Sequence, residues 1–353
     1  AVGVLIPFAL FFWRFPLLKS AQTLDSMLSR EAAFLVNNLL LLGIAFVTLW
    51  GSVYPLISRL VAGEEITIAR PFYDQVNGPL FLALLLLMGV GPLLPWRRAT
   101  AASLKRALLA PGSVALGLSA ALLVAGIHQP YALIGFGLGA FVTTGIFIEW
   151  WRGTRSRHRS TGDAYPIAFL RLLAANRPRY GGYIVHLSVV MVALGVVGTS
   201  FFNEQRDVVL GPGESVQIND YELRYVGTVE RQKSNRTEFV STVEVYRDGK
   251  LRYILQPQRA FYPSFNMAAT RAAIRSTPVE DLFVVPSENL PDGSVGFRVL
   301  VNPLIWWMWV AGPVMILGTV VALWPQPVRT TAPASSRVAR TLARAGGSTT
   351  GAL

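Results

Sequence analysis

Hydrophobic residues in this chain gather into long unbroken blocks. Six of them, at about 32–57, 79–95, 109–127, 131–150, 182–202 and 303–324, are predicted to be membrane-crossing helices. Each is long enough for a hydrocarbon core of ~30 Å. A further apolar block, 1–13 (AVGVLIPFALFFW), has no basic leader and no small-residue cleavage site, so it does not read as a signal peptide. It is shorter than the ~20 residues a full crossing needs. We read it as the stump of a transmembrane helix, and the chain as the C-terminal part of a longer protein.

Basic residues alternate from loop to loop. The loops 14–31, 96–108 and 151–181 and the tail after 324 hold more than half of the 32 Lys and Arg. The segments 61–78 and 128–130 are poor in them. The positive-inside tendency then places the basic loops and the C-terminus in the cytoplasm, and 61–78, 128–130 and 203–300 outside.

Between the last two blocks the pattern changes to period two. Val216–Ile218 and Tyr221–Leu223–Tyr225 alternate like half-buried strands. Asp248-Gly249 between Val243–Val245 and Leu251–Leu255 is a strong hairpin signal. Pro212-Gly213 and Pro291-Asp292-Gly293 mark further turns. The predicted fold is a polytopic α-helical membrane protein of about seven transmembrane segments, the first truncated, with a small extracytoplasmic β-rich domain. The expected organisation is a helical bundle at 1–202, the β-domain at 203–302, a final transmembrane helix at 303–324 and a disordered basic tail at 325–353.

Composition agrees with this picture. Hydrophobic residues make up 52% and charged residues 15%, and mean hydropathy is +0.43, values that exclude intrinsic disorder. The net charge of +12 is explained by loops facing anionic lipid, without nucleic acid. There is no cysteine, which excludes disulfides, a thiol relay, an iron–sulfur site and haem attachment to this chain through C-x-x-C-H. No G-x-x-x-x-G-K-[ST] phosphate loop, G-x-S-x-G elbow or H-E-x-x-H site is present.

Only three histidines exist. His186, in Tyr180-Gly181-Gly182-Tyr183-Ile184-Val185-His186, falls inside a predicted span, roughly 7 Å along the helix from Gly181. An ionisable side chain at that depth is costly and points to function. A neutral imidazole is a good axial ligand for haem iron, and Gly181, Gly182, Gly195 and Gly198 leave room for a porphyrin. An interhelical hydrogen bond is the blander alternative and stays open on the residues alone. His128 sits in a short outer turn and His158 in a basic loop, and both read as solvated. Glu149-Trp150-Trp151 and Trp306-Trp307-Met308-Trp309 read as interfacial belts. Gly135-Phe136-Gly137-Leu138-Gly139 suggests close helix packing. A transporter would place more polar groups within the spans than Asn37, Asn38 and His186.

Several stretches together resemble the CcmF/CycK/CcsA haem-handling family of cytochrome c maturation. They are Ser29-Arg30-Glu31 with Asn37-Asn38, Ile68-Ala69-Arg70-Pro71-Phe72-Tyr73, Gly89-Val90-Gly91-Pro92-Leu93, and Tyr180-Gly181-Gly182 with His186. Glu204–Val208, Gly213–Val216, Ala272-Ala273-Ile274 and the Pro303–Gly312 helix continue the match in order from about 14 to 325. The resemblance implies a haem lyase subunit in the bacterial cytoplasmic membrane. It implies haem b as cofactor, with His186 as one axial ligand of the haem iron. The implied partners are the haem chaperone CcmE, lyase subunits of the CcmH and CcmI type, an apocytochrome c, quinol and membrane lipid. The family's tryptophan-rich loop and remaining histidines lie upstream of Ala1, so the second ligand is expected outside this sequence and the chain alone is expected not to attach haem. The paralogue serving nitrite reductase, or a membrane scaffold without haem chemistry, are the alternatives. The β-domain is read either as a docking module or as a scaffold capping the helices.

Overall fold

A computed structural model describes residues 2–18, 26, 29–94 and 100–325. The expected tail at 325–353 falls, after Pro325, outside the described residues. Among these residues, eight α-helices and ten strands follow in order. The helices are α1 (Val2–Leu18), α2 (Arg30–Ala62), α3 (Arg70–Val90), α4 (Ala101–Val124), α5 (Pro130–Thr161), α6 (Tyr165–Ala175), α7 (Arg177–Phe201) and α8 (Ile305–Leu323). Six of these, α2–α5, α7 and α8, are long and apolar enough to cross a bilayer. The chain is an integral membrane protein carrying a β-rich domain.

Local signals set the helix ends. Ser29 caps α2 by accepting the Ala32 N–H at 3.1 Å, and Gly63 closes it at φ 74°. Pro71, Pro130 and Pro178 stand in the first turns of α3, α5 and α7, where no N–H is missed. The segment 151–181, expected as a loop, is mostly helical. α5 runs on through Arg152–Arg159 to Gly162, which takes φ 71°, and α6 and the start of α7 occupy the rest. Arginine is a good helix former, and basic groups in a last turn favour the negative end of the helix dipole. Likewise α3 begins at Arg70, within the expected loop 61–78.

Glycines let the helices approach. Gly135 and Gly139 of α5 pack on Val197 and Val190 of α7, while Gly137 lies against Ser119 of α4. Gly89 of α3 receives Phe141 of α5. The α7–α8 pair is closest. Gly181 lies on Ala322, Gly318 on Val185, Gly195 on Met308, and Gly198 on Pro303 and Leu304. Such small-residue seams let dispersion act where no hydrophobic drive exists between helices in lipid.

The β-domain is a sandwich. Its strands are β1 (Glu204–Leu210), β2 (Ser215–Ile218), β3 (Tyr221–Gln232), β4 (Thr237–Arg247), β5 (Lys250–Leu255), β6 (Gln258–Tyr262), β7 (Met267–Arg271), β8 (Ala273–Ser276), β9 (Glu280–Asn289) and β10 (Val295–Pro303). One sheet has the order β1-β10-β9-β8; the other has β2-β3-β4-β6-β7, with β5 also on β4. Asp248 (φ 55°) and Gly249 (φ 68°) form the two-residue turn the sequence predicts. Leu223, Tyr225, Val243, Val245, Leu282, Val284, Phe297 and Val299 fill the core between the sheets. β1 leaves α7 directly, β10 enters α8 through Leu304, and the two strands pair antiparallel. Both attachment points are therefore neighbours in one sheet.

Candidate functional site

His186 lies near the middle of α7. Residues spaced at helical repeat separate this helix into two sectors. One sector is packed: Tyr183, Val190 and Val197 toward α5, and Gly181, Gly195 and Gly198 toward α8. The other carries Gly182, His186, Val189, Val196 and Ser200, none of them fully buried, while Ala193 between them packs toward α5. A Cβ added at Gly182 would meet nothing within 4 Å. The imidazole thus stands one turn from the open position at Gly182, outside the close α7–α8 seam.

Its hydrogen bonding is incomplete. Nδ1 is buried and has no partner among the described residues. An orphaned buried nitrogen is uncommon and calls for a reason. The interhelical hydrogen bond left open by the sequence is not made among the described residues. The ring makes no hydrogen bond among the described residues, so whichever nitrogen of the neutral imidazole is unprotonated is left unused as an acceptor or ligand.

About two turns toward the basic end, the helix is anchored by charge. Arg179 donates to Glu149 of α5 at 2.5 Å and to the Tyr183 hydroxyl at 3.2 Å, and Glu149 also lies 4.0 Å from Arg152. The guanidinium covers the Tyr180 and Tyr183 rings at 5.9 and 5.8 Å. Sequence reasoning missed this anchor because its members lie on two helices, 30 residues apart. A cleft lined by Pro92, Leu94, Leu104, Glu149, Arg152 and Arg179 opens beside it.

The other histidines do not join His186. His158 belongs to α5, not to a loop. Its ring stacks on Tyr165 at 4.2 Å, and Nδ1 lies 2.6 Å from the Asp163 carbonyl. His128 is exposed in the turn between α4 and α5. Gly139 meets α7 at Val190 and Glu149 meets it at Arg179, so His186 is level with α5 residues near 144. His128 and His158 are each about 20 Å from that level along the helix axis. Among the described residues no group of three His, Cys, Asp or Glu could hold a metal ion. Trp307 at the head of α8 donates to the Pro278 carbonyl at 3.0 Å, tying the sandwich to its helix, while Trp309 is exposed. At the opposite end of the bundle, the buried Trp150 Nε1 has no partner among the described residues.

The six apolar helices and the sandwich inserted between the last two of them define an integral membrane protein with an attached β-sandwich. Residues 201–303 match the family model described as the CcmF C-terminal beta-sandwich. The chain is 30% identical over 337 residues to the cytochrome c-type biogenesis protein CycK of Rhizobium meliloti, covering 95% of this chain and 49% of CycK. It is 28% identical over 308 residues to CcmF of Haemophilus influenzae, covering 85% and 46%. A solved structure, cytochrome c heme lyase CcmF, superimposes with a TM-score of 0.68 at 29% identity, covering 85% of this chain and 46% of that one. The chain belongs to the CcmF family and spans about half the length of the curated relatives it matches.

Proposed function

We propose that this chain is the membrane-and-sandwich portion of a haem lyase subunit of cytochrome c maturation, with His186 as one axial ligand of a b-type haem. The observation that carries the proposal is an imidazole without a hydrogen-bond partner among the described residues, set inside a membrane-crossing helix one turn from the open position at Gly182. Bound there, haem would supply one-electron chemistry within a low-dielectric layer. His186 would hold the iron and, through the fixed pitch of α7, set its depth. Gly182 would admit the macrocycle edge. Arg179, held by Glu149 and Tyr183, would keep the helix from rotating about its axis.

The second axial ligand is proposed to come from residues beyond the described ones. The basic helix ends are proposed to face the cytoplasm of a bacterial inner membrane, with the sandwich on the opposite side, where an apocytochrome c and partner lyase subunits would dock.

The test is haem content of the family protein carrying this chain, purified with and without His186→Ala. Loss of the reduced b-type absorption band with unchanged yield and elution volume supports the reading. A band of undiminished intensity overturns it.

A further inference from the structure

The last three turns of α5 sort a run of arginines by direction. Arg152, Arg155 and Arg159 follow at intervals of three and four, so they share one face of the helix with Ser156 and Ser160. All five side chains are exposed and bound a shallow hollow of about 390 Å³. Another face of α5 is held by α6: Gly153 lies against Leu172, and His158 stacks on Tyr165. That contact fixes which way the arginines point. The hollow continues into the cleft of about 320 Å³ beside the Arg179–Glu149 anchor, because Arg152 lines both. Arg155 and Arg159 enter none of the ion pairs among the described residues. Glu149 is the one carboxylate carried by α4, α5, α6 and α7. One of its oxygens is held by Arg179 and the other lies 4.0 Å from Arg152.

We propose that this cleft binds the headgroup of an anionic glycerophospholipid, with Arg152 on the phosphate and Arg155 and Arg159 extending the cationic face. A planar guanidinium fork matches phosphate oxygens in pairs. The depth is that of a headgroup. Exposed Trp151 precedes Arg152 at the end of the apolar part of α5. Along the helix axis Arg152 and Arg155 stand about 1.5 and 6 Å beyond Trp151, within an interfacial layer of roughly 5–7 Å, and Arg159 stands about 12 Å beyond it. The remaining wall of the cleft is apolar, from Pro92 and Leu94 after α3 and Leu104 and Ala107 of α4. That wall suits glycerol and the first methylenes of an acyl chain. A soluble phosphate ester would leave it unused, and so would an acidic polypeptide lying along the arginines. A zwitterionic headgroup would bring an ammonium, for which the only helix carboxylate at hand is Glu149, already engaged by arginine. Since α4, α5 and α7 all line the cleft, a bound headgroup would also hold this end of the bundle together. The inference rests on the membrane spans and not on haem.

The experiment uses the full chain in a neutral detergent. Palmitoyl-oleoyl phosphatidylglycerol and the matching phosphatidylcholine are titrated separately, bound lipid is counted by native mass spectrometry, and melting temperature is followed across each series. One phosphatidylglycerol should bind saturably and raise the melting temperature, and phosphatidylcholine should do neither at the same concentration. Arg152→Gln should weaken phosphatidylglycerol binding roughly 5-fold or more, and Arg155→Gln by a smaller factor. Arg252→Gln, an equal loss of charge on the sandwich, should leave binding unchanged. Leu104→Trp fills the cleft at constant charge and should abolish the one-lipid stoichiometry. Equal affinity for the two lipids, equal binding by Arg152→Gln and Arg252→Gln, or undiminished binding by Leu104→Trp overturns the proposal. Displacement of the lipid by millimolar glycerol phosphate would assign the cleft to soluble phosphate esters, and displacement by a decaglutamate peptide would assign the arginine face to an acidic polypeptide. Either result overturns it as well.

Discussion

Gly181 and Gly182 are adjacent in one helix and face opposite circumstances, so the same substitution at each should have opposite effects. A Cβ at Gly181 would sit 2.5 Å from the Ala322 nitrogen and 2.7 Å from its Cα. These are backbone atoms and cannot rotate away. Normal contact requires α7 and α8 to separate by about 1 Å, which loosens the seam along Gly195, Gly198 and Gly318. Overpacking of this kind costs typically ~1–3 kcal/mol, against at most ~1 kcal/mol regained from helix propensity. At Gly182 the propensity gain stands alone. Gly181→Ala should therefore be less stable than Gly182→Ala by about 2 kcal/mol. Reversible denaturation of the chain in bicelles, followed by far-ultraviolet circular dichroism, measures the difference. Equal stability of the two variants, or a more stable Gly181→Ala, would show that α7 and α8 are not seated backbone to backbone. Gly182→Ala has a second consequence. It should weaken haem uptake while leaving the haem-free chain at least as stable, a split that simple misfolding does not produce.

Other outcomes follow from the sandwich and the anchor. Tyr221 donates to Glu280 at 2.8 Å, and burial first, then that hydrogen bond, push its phenol up to about 12. A raised folded value means the contribution is complete below the ordinary tyrosine value near 10 and is lost as pH rises toward 12. The sandwich should thus lose stability across that window, and Tyr221→Phe should flatten the loss in a pH series of melts. Gly249→Ala places a side chain at φ 68° and should cost ~1 kcal/mol, read as a lower sandwich melting temperature. Glu149→Gln removes a partly exposed ion pair and should cost no more than ~1 kcal/mol in stability in a denaturation series. Asp207 is held below the usual carboxylate range by hydrogen bonds from Arg298 and Gln205, so any contribution it makes is present at neutral pH and fades as acid protonates it. Melts of Asp207→Asn should differ from wild type above the carboxylate range and converge with it in acid.

The spans and the alternating strands could be read from the chain because their signals are local. Tyr221–Leu223–Tyr225 alternates within five residues, and the turn at Asp248-Gly249 advertises itself. Helix across 151–181 could not be read in the same way. Hydropathy finds the part of α5 that lies in lipid, but the arginines that carry it further look like loop residues. His186 was visible as a costly group in an apolar block. Its open side was not, since which sector of α7 is covered depends on where α5 and α8 lie. The Arg179–Glu149 anchor was hidden for the same reason. The pairing of β1 with β10 joins residues as far apart as Asp207 and Arg298, beyond the reach of any periodicity.

That pairing also sets an order of assembly. The strand that emerges first from α7 has its ladder partner only when β10, the last strand of the sandwich, has been made. Until then β1 has no partner strand, although Tyr221–Arg247 can already form its local hairpins. Closure of the sheet is a late, long-range event of the kind that slows folding. It also draws together the two points where the helices join the sandwich, so α8 finds its seam on α7 with its starting position already chosen.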